Sequence, residues 1–350
     1  MEIFGVRFAP LNVPLERRLQ SAAVFVGVFI FTFGVMLSAY IVLYAIIAGG
    51  AWSRCLMLAY LVFIYFDSKY HLSVNRPEWL YCFYGQRRFW DYYTGYFPMR
   101  LIKTAELEPT RNYILGAMPH GIIPLGLSIA FVNDSLDSKG LFPGLEFRPL
   151  SLHLNFLVPF MREHLLNLSV CSCGKESMEH LLSSKPRHGR FTGRALVLLV
   201  GGGSEARRSR PGSYNLELKR KKGFVKMALQ YGTALVPVIS FGEADIYEQI
   251  AAPEGSLLGL IQRFVREYIG FTPVWFNGRG FFQYSFGLMP RRAPINIVVG
   301  SAMDVPKISN PSVEQIDQYH AMFVEQTVKL FEAHKSKYIA NYRDVSLKFE

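Results

Sequence analysis

The sequence contains little cysteine, no internal repeat and no low-complexity tract. Its 350 residues include four cysteines, at Cys55, Cys82, Cys171 and Cys173. Four scattered thiols do not provide the disulfide framework of a small secreted fold, and the C-S-C run lacks the spaced cysteine and histidine partners of a zinc site. We therefore expect reduced thiols that face or lie near the cytosol, and no metal site.

Acidic residues are scarce relative to basic ones, at 27 against 38, which gives a formal charge of +11. This excess predicts attraction to an anionic partner, either nucleic acid, an acidic membrane face or a phosphorylated small molecule. Nucleic acid is the weakest of these, because no recognition module accompanies the charge. Half of the residues are apolar and 15% are aromatic, which is high for a purely soluble protein.

A long uncharged tract lies near the N-terminus. From Ser21 to Phe66 the single charged residue is Arg54. A membrane span needs ~20 residues, so this tract predicts a membrane-embedded helical hairpin that turns at Gly49 and Gly50. A cleaved signal peptide fits poorly because its apolar core is much shorter. A buried helix pair is disfavoured because nothing in the tract supplies a polar face.

Positive charge on both sides of this tract predicts its orientation. The flanking cations are Arg17, Arg18, Lys69, Arg76, Arg87 and Arg88. The positive-inside rule places both ends in the cytosol. The chain then divides into a cytosolic segment (1–20), a membrane hairpin (21–66) and a cytosol-facing, membrane-associated domain (67–350). Residues 55–66 alone would not cross, so either Arg54 lies in the bilayer near the far interface or the second arm is re-entrant.

The segment between Asp67 and Pro109 is rich in aromatic and charged residues. Aromatic rings at the level of the lipid headgroups are typical of a membrane interface. An aromatic-rich protein core explains the same composition equally well, so both interpretations stay open.

Short apolar runs predict an α/β fold. Four of them are interpreted as buried strands, at residues 112–117, 195–200, 235–241 and 295–300. Residues 223–230 are interpreted as a helix that Gly232 ends. Strand, loop, helix and strand in this order predict a mostly parallel central sheet flanked by helices. A last covering helix is expected from a capping box at Ser312 and Gln315 to about Lys337.

Polar residues follow three of these predicted strands. His120, Glu205 and Glu243 come after the first, second and third strand, Glu205 after a run of three glycines. The carboxyl ends of parallel strands meet at one edge, where open α/β sheets bind ligands. A neutral imidazole can remove a proton from a hydroxyl, so His120 is a candidate base, with a turn-capping histidine as the alternative. Gly121 allows close approach of the backbone to a substrate.

A basic segment follows Glu205. Its seven cations are Arg207, Arg208, Arg210, Lys219, Arg220, Lys221 and Lys222. Such a run is usually a solvated loop, but its position beside the predicted pocket favours phosphate binding. The candidate phosphate ligands are Arg207, Arg220, Lys221 and Lys222.

Longer segments carry a further signal. They are FAPLNVPLERRLQ (8–20), YFP (96–98), KTAELEPTRNYILG (103–116), PHG (119–121), LFPG (141–144), MREHL (161–165), VGGGSEA (200–206), RPGSY (210–214), RKKGFVKMAL (220–229), LVPVISFGE (235–243), GRGFFQYSFGL (278–288) and LFEAHKSKY (330–338). Together they are highly specific. Over nearly its whole length the chain resembles the diacylglycerol acyltransferase type 2 family, which also contains monoacylglycerol and wax-alcohol acyltransferases.

This resemblance implies an enzyme of the endoplasmic reticulum membrane, with the lipid droplet surface as a second location. It would join a fatty acyl group from acyl-CoA to an acylglycerol hydroxyl, and no further cofactor is implied. Diacylglycerol is the expected acceptor, with 2-monoacylglycerol and a fatty alcohol as alternatives. Membrane lipid is an expected partner, nucleic acid is not, and self-association stays open.

The resemblance also implies residue roles. The family's HPHG is Met118-Pro119-His120-Gly121 here, so its second, catalytic histidine is present and its first is replaced. The family's glutamate in VGGxxE matches Glu205. We expect His120 to deprotonate the acceptor hydroxyl, and Glu205 to fix the imidazole tautomer and stabilise its positive charge. The expected oxyanion or substrate-positioning residues are Gly121, Gly202, Gly203 and Glu243.

Two other function classes stay open. A lipid-binding or scaffold protein of the same shape would have no turnover, which the replacement by Met118 makes conceivable. A lipid hydrolase is disfavoured, because the sequence has no G-x-S-x-G nucleophile elbow.

Overall fold

The computed structural model describes residues 2–10, 12–67, 87–186, 191–250, 253, 255–269 and 274–350. Its helices are α1 (Leu15–Ile47), α2 (Ala51–Phe66), α3 (Arg87–Tyr96), α4 (Leu125–Ala130), α5 (Ser138–Leu141), α6 (Met161–Asn167), α7 (Lys175–Ser183), α8 (Gly202–Ala206), α9 (Gly223–Tyr231), α10 (Leu257–Ile269) and α11 (Val313–Tyr338), with short 3-10 helices at His153–Phe156 and Tyr342–Asp344. Its strands are β1 (Glu2–Ile3), β2 (Val6–Arg7), β3 (Arg100–Lys103), β4 (Tyr113–Met118), β5 (Leu145–Ser151), β6 (Cys171–Ser172), β7 (Gly193–Leu199), β8 (Tyr214–Leu216), β9 (Ala234–Phe241), β10 (Glu248–Gln249), β11 (Phe276–Asn277), β12 (Asn296–Val299) and β13 (Leu347–Phe349).

Seven strands form the central sheet, in the order β3-β12-β9-β4-β7-β5-β6. Neighbouring strands run parallel except β12 and β9, which are antiparallel. Strands β4 and β9 are buried along their whole length, which is why each is a continuous apolar run in the sequence. The prediction of a mostly parallel sheet flanked by helices is confirmed.

The predicted helices are also present. Gly232 ends α9 in a left-handed conformation, which a Cβ would disfavour. Ser312 and Gln315 form the predicted capping box: the Gln315 N–H donates to Ser312 Oγ (3.2 Å), and the Ser312 N–H donates to Gln315 Oε1 (2.9 Å). Helix α11, which starts at this capping box, packs on β9 and covers the sheet as expected.

Helices α1 and α2 pack together and turn at Gly49 and Gly50, as predicted. Helix α1 begins at Leu15, before the expected start at Ser21, so the nearby cations lie in its first turn. Arg54 Nη2 donates to the Ile47 carbonyl (3.1 Å) and so caps the end of α1.

Helix α1 is long and apolar enough to cross a membrane. Only 11% of its most apolar window is buried, which is unlike the core helix of a soluble protein. Helix α2 is shorter, with 16 residues. The length and exposed apolar surface of this hairpin indicate membrane association.

Four aromatic residues of α3 and the turn after it are buried. Trp90, Tyr93, Tyr96 and Phe97 are all at most 6% exposed, and α3 packs against α1. The interpretation of an aromatic-rich core is therefore right for these four rings. The aromatic residues at 68–86 lie outside the described residues.

Strand β5 was not predicted, because Glu146 and Arg148 interrupt its apolar pattern. Both side chains are nevertheless buried, and Glu146 accepts hydrogen bonds from Arg148 and from Arg194 on the adjacent β7. A buried charge is tolerated when it is paired and hydrogen-bonded. The partner of Glu146 comes from a strand distant in the sequence, so local pattern gives no sign of this pairing.

Candidate active site

The candidate site lies in the loop that leaves β4. His120 follows the last strand residue, Met118, by two positions. Gly121 has a φ of +67°, a left-handed conformation that other residues rarely adopt. A Cβ at this position would approach the Glu243 main-chain oxygen to 3.0 Å. Glycine is therefore required for the turn that brings His120 to the carboxyl edge of the sheet.

The His120 ring is half-buried, and its Nδ1 lies 3.1 Å from the Gly121 carbonyl oxygen. A carbonyl oxygen can only accept a hydrogen bond, so this contact places the proton on Nδ1 and a lone pair on Nε2. Burial lowers the pKa of His120 below its ordinary value, and the Gly121 carbonyl opposes that shift. The ring is consequently neutral near pH 7, as a general base must be.

The Glu205 carboxylate holds the main chain of His120. Its Oε2 accepts from the His120 N–H (2.6 Å), and its Oε1 accepts from the Glu217 N–H (3.0 Å). The tautomer-setting contact therefore belongs to the Gly121 carbonyl, which corrects the role expected for Glu205. Burial raises the pKa of Glu205 to about 7, although the two N–H donors oppose the shift. Glu205 ties the histidine loop to the segment at Glu217.

Gly201, the first glycine of the run before Glu205, has a steric cause. The Glu205 side chain folds back over Gly201, where a Cβ would lie 1.9 Å from the Glu205 carboxyl carbon. Gly202 and Gly203 face open space, because no heavy atom of the described residues would lie within 4 Å of a Cβ at either position. The first N–H groups of a helix have no intrahelical acceptor, so those at the start of α8 are available for hydrogen bonding.

Glu243 lies at the predicted edge but faces the protein interior. Its side chain has 0% exposure, and its oxygens accept from the N–H groups of Gly126 (2.7 Å) and Leu127 (3.2 Å) and from the Ser240 hydroxyl (2.8 Å). Burial raises the pKa of Glu243 to about 7, which these three donors oppose. In this arrangement Glu243 anchors the start of α4 to β9 and does not face a substrate.

The basic segment is partly ordered by pairing. It contains β8, which pairs with β13, and Arg208 forms ion pairs with Glu217 and Glu350. Lys222 pairs with Asp317 (2.6 Å).

The other candidate phosphate ligands, Arg207, Arg220 and Lys221, are exposed. Lys221 lies close enough to lower the pKa of Glu205 electrostatically. At least this lysine of the basic segment therefore lies near Glu205, and phosphate binding by the segment stays a prediction.

Sequence reasoning missed two features of the site. The Gly121 carbonyl is a backbone atom, and no residue pattern identifies it. The run at 235–241 predicts only a strand for Ser240, whereas its hydroxyl also donates to the Glu243 carboxylate. The serine is the third residue before that glutamate, a spacing that would have been the signal.

Comparisons with known proteins agree on one family. Residues 45–350 match the family model described as diacylglycerol acyltransferase. The chain is 38% identical to diacylglycerol O-acyltransferase 2 of Dictyostelium discoideum over 95% of this chain and 96% of the relative. It is 40% identical to 2-acylglycerol O-acyltransferase 1 of Bos taurus, with the same coverage. Human diacylglycerol O-acyltransferase 2 is 37% identical, over 93% of this chain and 81% of the relative.

A solved structure is also similar. The 1-acyl-sn-glycerophosphate (LPA) acyltransferase PlsC of Thermotoga maritima is 13% identical, covers 91% of this chain and 98% of its own, and superposes with a TM-score of 0.39, a likeness too weak to carry an argument. The family model and the full-length relatives are decisive by themselves, since they span nearly the whole sequence. This chain belongs to the diacylglycerol acyltransferase family.

Proposed function

We propose that the protein transfers a fatty acyl group from acyl-CoA to an acylglycerol hydroxyl, with diacylglycerol as the acceptor and triacylglycerol as the product. The observation that carries the proposal is a neutral histidine, His120, at the carboxyl edge of the sheet in a chain of this family. 2-Monoacylglycerol is the second candidate acceptor, because a relative named for that activity matches as closely as one named for diacylglycerol. A fatty alcohol is the third.

In this mechanism His120 Nε2 accepts the hydroxyl proton of the acceptor while the hydroxyl oxygen attacks the thioester carbonyl carbon. The carbon–sulfur bond then breaks, and the CoA sulfur takes the proton from Nε2, so the base is regenerated. No covalent acyl-enzyme is needed. A positioned general base contributes about 10²–10⁴-fold, and alignment of both substrates supplies a further part of the acceleration.

Glu205 is a positioning residue in this scheme. It holds the His120 N–H and not the ring, so it orients the loop that carries the base. The N–H groups of Gly202 and Gly203 are the candidate oxyanion donors, because open space faces both residues. The Gly121 side of the loop packs against Glu243 and offers less room for a substrate oxygen.

The basic segment is the candidate site for the CoA phosphates. Arg207, Arg220 and Lys221 are exposed and follow Glu205 in the sequence, which supports this assignment. Charge-assisted hydrogen bonds from such residues suit a pyrophosphate and a 3′-phosphate. Lys222 can contribute once it leaves its exposed ion pair with Asp317, since such a pair is worth little.

The helical hairpin would anchor this site at the cytosolic surface of the endoplasmic reticulum, or of a lipid droplet. Apolar α1 and the cations on both sides of the hairpin support an orientation with both ends in the cytosol. In this arrangement diacylglycerol would reach His120 from the bilayer, and acyl-CoA would reach it from the cytosol.

The testing experiment incubates the purified full-length protein with acyl-CoA and diacylglycerol. We expect glyceride ester and free CoA in equal amounts. Free fatty acid in place of ester would indicate a hydrolase, and no product would indicate a lipid-binding protein. Equal concentrations of monoacylglycerol and diacylglycerol then compete in the same assay. Preferential use of monoacylglycerol would overturn the acceptor assignment and leave the catalytic scheme intact.

A further inference from the structure

The buried arginines of the described residues fall into two groups. Those less than one-tenth exposed are Arg148 (4%), Arg162 (1%), Arg194 (3%) and Arg279 (7%). Arg148 and Arg194 both pair with Glu146. Arg162 pairs with Asp67 and Glu163. Arg279 contacts no carboxylate in the part of the chain that the structure describes. It is therefore a buried charge without a counter-ion among the described residues.

Every acceptor around Arg279 is neutral. Its Nε donates to the Tyr96 hydroxyl (2.8 Å), its Nη2 to the Ser21 hydroxyl (3.2 Å), and its Nη1 to the Gly280 carbonyl (3.4 Å). A guanidinium has five N–H donors, so these three acceptors do not exhaust it. A buried, incompletely bonded cation is costly unless an anion accompanies it.

A second arginine, Arg292, packs against the Tyr96 ring that Arg279 also contacts. The guanidinium carbons of Arg279 and Arg292 lie 5.4 and 4.1 Å from the Tyr96 ring centroid. Arg292 donates to Gln20 Oε1 (2.8 Å), and to the carbonyls of Tyr96 (3.4 Å) and Arg17 (3.2 Å), which are again neutral. Burial lowers the pKa of Arg292 to about 10, and the nearby cations Arg17 and Arg279 act in the same direction.

The position of this cluster suggests what the anion is. Gln20 and Ser21, which contact Arg292 and Arg279, lie in the N-terminal turns of α1, where its apolar tract begins. The polar end of such a helix lies at headgroup level in a membrane. Phosphate is the anion concentrated at that level, and the planar fork of arginine matches it well.

We propose that Arg17, Arg279 and Arg292 form a binding site for a phosphate group, carried by the headgroup of a membrane phospholipid. The phosphate would approach from solvent past Arg17, which is exposed, and Arg292, which is half-buried. The buried Arg279 would add positive charge on the interior side of the site. Occupancy would fix the base of α1 against α3 and the segment at 279–292. This site is separate from the basic segment beside Glu205, and its occupancy does not depend on turnover.

The test measures thermal unfolding of the full-length protein in neutral detergent. The probes are phosphatidic acid and a diacylglycerol with the same acyl chains, which differ by the phosphate. We expect phosphatidic acid to raise the melting temperature by several degrees more than diacylglycerol does. Arg292→Gln should remove at least half of that difference. Arg343→Gln should retain it, because Arg343 is an exposed arginine that also lies over a tyrosine ring, at 5.9 Å, away from the cluster.

CoA without an acyl chain forms the second arm. A CoA-induced shift that Arg292→Gln removes would support the phosphate site but overturn the phospholipid as its source. The site would be overturned if Arg292→Gln and Arg343→Gln lost the phosphatidic acid-induced rise in melting temperature equally. It would also be overturned if the wild type showed no such rise. If Arg292→Gln does not fold, Arg17→Gln provides the same comparison, because its side chain is exposed.

Discussion

Two glutamates lie against the His120 loop, Glu205 at His120 and Glu243 at Gly121, and their surroundings differ. Glu205 accepts from the main chain of His120 and of Glu217, so it joins the loop to the basic segment. Glu243 accepts from the first N–H groups of α4 and from Ser240, so it joins the loop to the sheet. Both are buried, and burial raises both pKa values to about 7. Carboxylates that emerge at one sheet edge can therefore serve different structural purposes.

The difference has a functional meaning. The contacts of Glu243 lie inside the folded core, so a substitution of Glu243 should mainly lower the stability of the protein. The contacts of Glu205 connect the candidate base with the segment proposed to bind acyl-CoA, so a substitution of Glu205 should mainly lower turnover. The two sides of the loop can be separated by experiment.

The largest effect is expected from His120→Ala, which removes the proposed general base. Acyl transfer should fall at least about 100-fold, because a general base contributes 10²–10⁴-fold. Membrane insertion should persist, since the ring lies in a loop outside the hairpin. Initial rates with equal amounts of membrane-bound protein measure this. His180→Ala, at an exposed histidine, is the matched control. Retained turnover within tenfold would remove His120 from the mechanism.

The second prediction compares Glu205→Gln with Glu243→Gln. A glutamine side chain has one acceptor oxygen, whereas a carboxylate has two. Its NH₂ group would therefore face a backbone N–H that has lost its acceptor, and this lowers the free energy of unfolding by about 1–3 kcal/mol. Glu243→Gln should lose more stability than Glu205→Gln, because Glu243 is fully buried and accepts from three donors. Glu205→Gln should lose more turnover than Glu243→Gln, but less than His120→Ala.

Melting temperature and kcat of the folded fraction give the two readouts for this pair. Glu325→Gln, at an exposed glutamate, controls for the change of charge. The same ratio of lost stability to lost turnover in both variants would erase the distinction between the two sides.

The third prediction is a pH dependence of stability. Both folded pKa values, about 7, exceed the ordinary 4.5, so the folded protein keeps protons that the unfolded chain releases. The free energy of unfolding should therefore fall as pH rises from about 4.5 to 7. Each Glu→Gln variant should flatten this slope by up to about 1.4 kcal/mol per pH unit.

His120, whose pKa is lowered, acts in the opposite direction below 6.5. Its contribution is absent in His120→Ala. Burial also lowers the pKa values of His164 and His320, so the slope of each Gln variant is compared with that of its parent, in which both histidines contribute equally. Denaturant titrations in detergent at several pH values measure the slopes. Unchanged slopes in both Gln variants would mean that neither carboxylate has a raised pKa.

A smaller effect is expected on the Glu205 side alone, from neutralising Arg220, Lys221 and Lys222. The apparent KM for acyl-CoA should rise several-fold, more at low salt than at high salt, with little change for the glyceride. Lys221→Gln should account for most of it, because this exposed lysine is close enough to Glu205 to lower the pKa of that carboxyl. Lys226→Gln, at another exposed lysine, is the control. A change confined to membrane binding would assign the segment to anionic lipid.

The smallest effect is expected from Met118→His, which restores the family's first histidine. Met118 is 1% exposed and packs in the core at the end of β4, so a ring there would not reach a substrate. Turnover should stay within about threefold, while melting temperature falls because a buried imidazole lacks an assured partner. Met118→Leu is the apolar control. A tenfold change in turnover would show that position 118 acts on the base.

Much of the architecture was predictable because it depends on local pattern. Strands β4, β7, β9 and β12 are apolar runs that end at glycine, proline or a polar residue, and α11 starts at a capping box. Strand β5 was not predictable, because the partner that makes its buried charges tolerable, Arg194, is distant in the sequence. Helix α1 started earlier than expected because Pro14 precedes it and nothing interrupts residues 15–20.

The sequence alone determined that His120, Glu205 and Glu243 meet at one edge, because parallel strands that each end in a polar residue must bring those residues together. Only the tertiary structure decided what each does. In the tertiary structure a backbone carbonyl sets the tautomer of His120, and Glu243 faces the interior. Arg279 and Arg292 pack against one tyrosine ring, and among the described residues neither of them contacts a carboxylate. Pattern follows from the periodicity of a strand or helix, whereas hydrogen-bond partners and counter-ions depend on segments that folding brings together from distant parts of the chain.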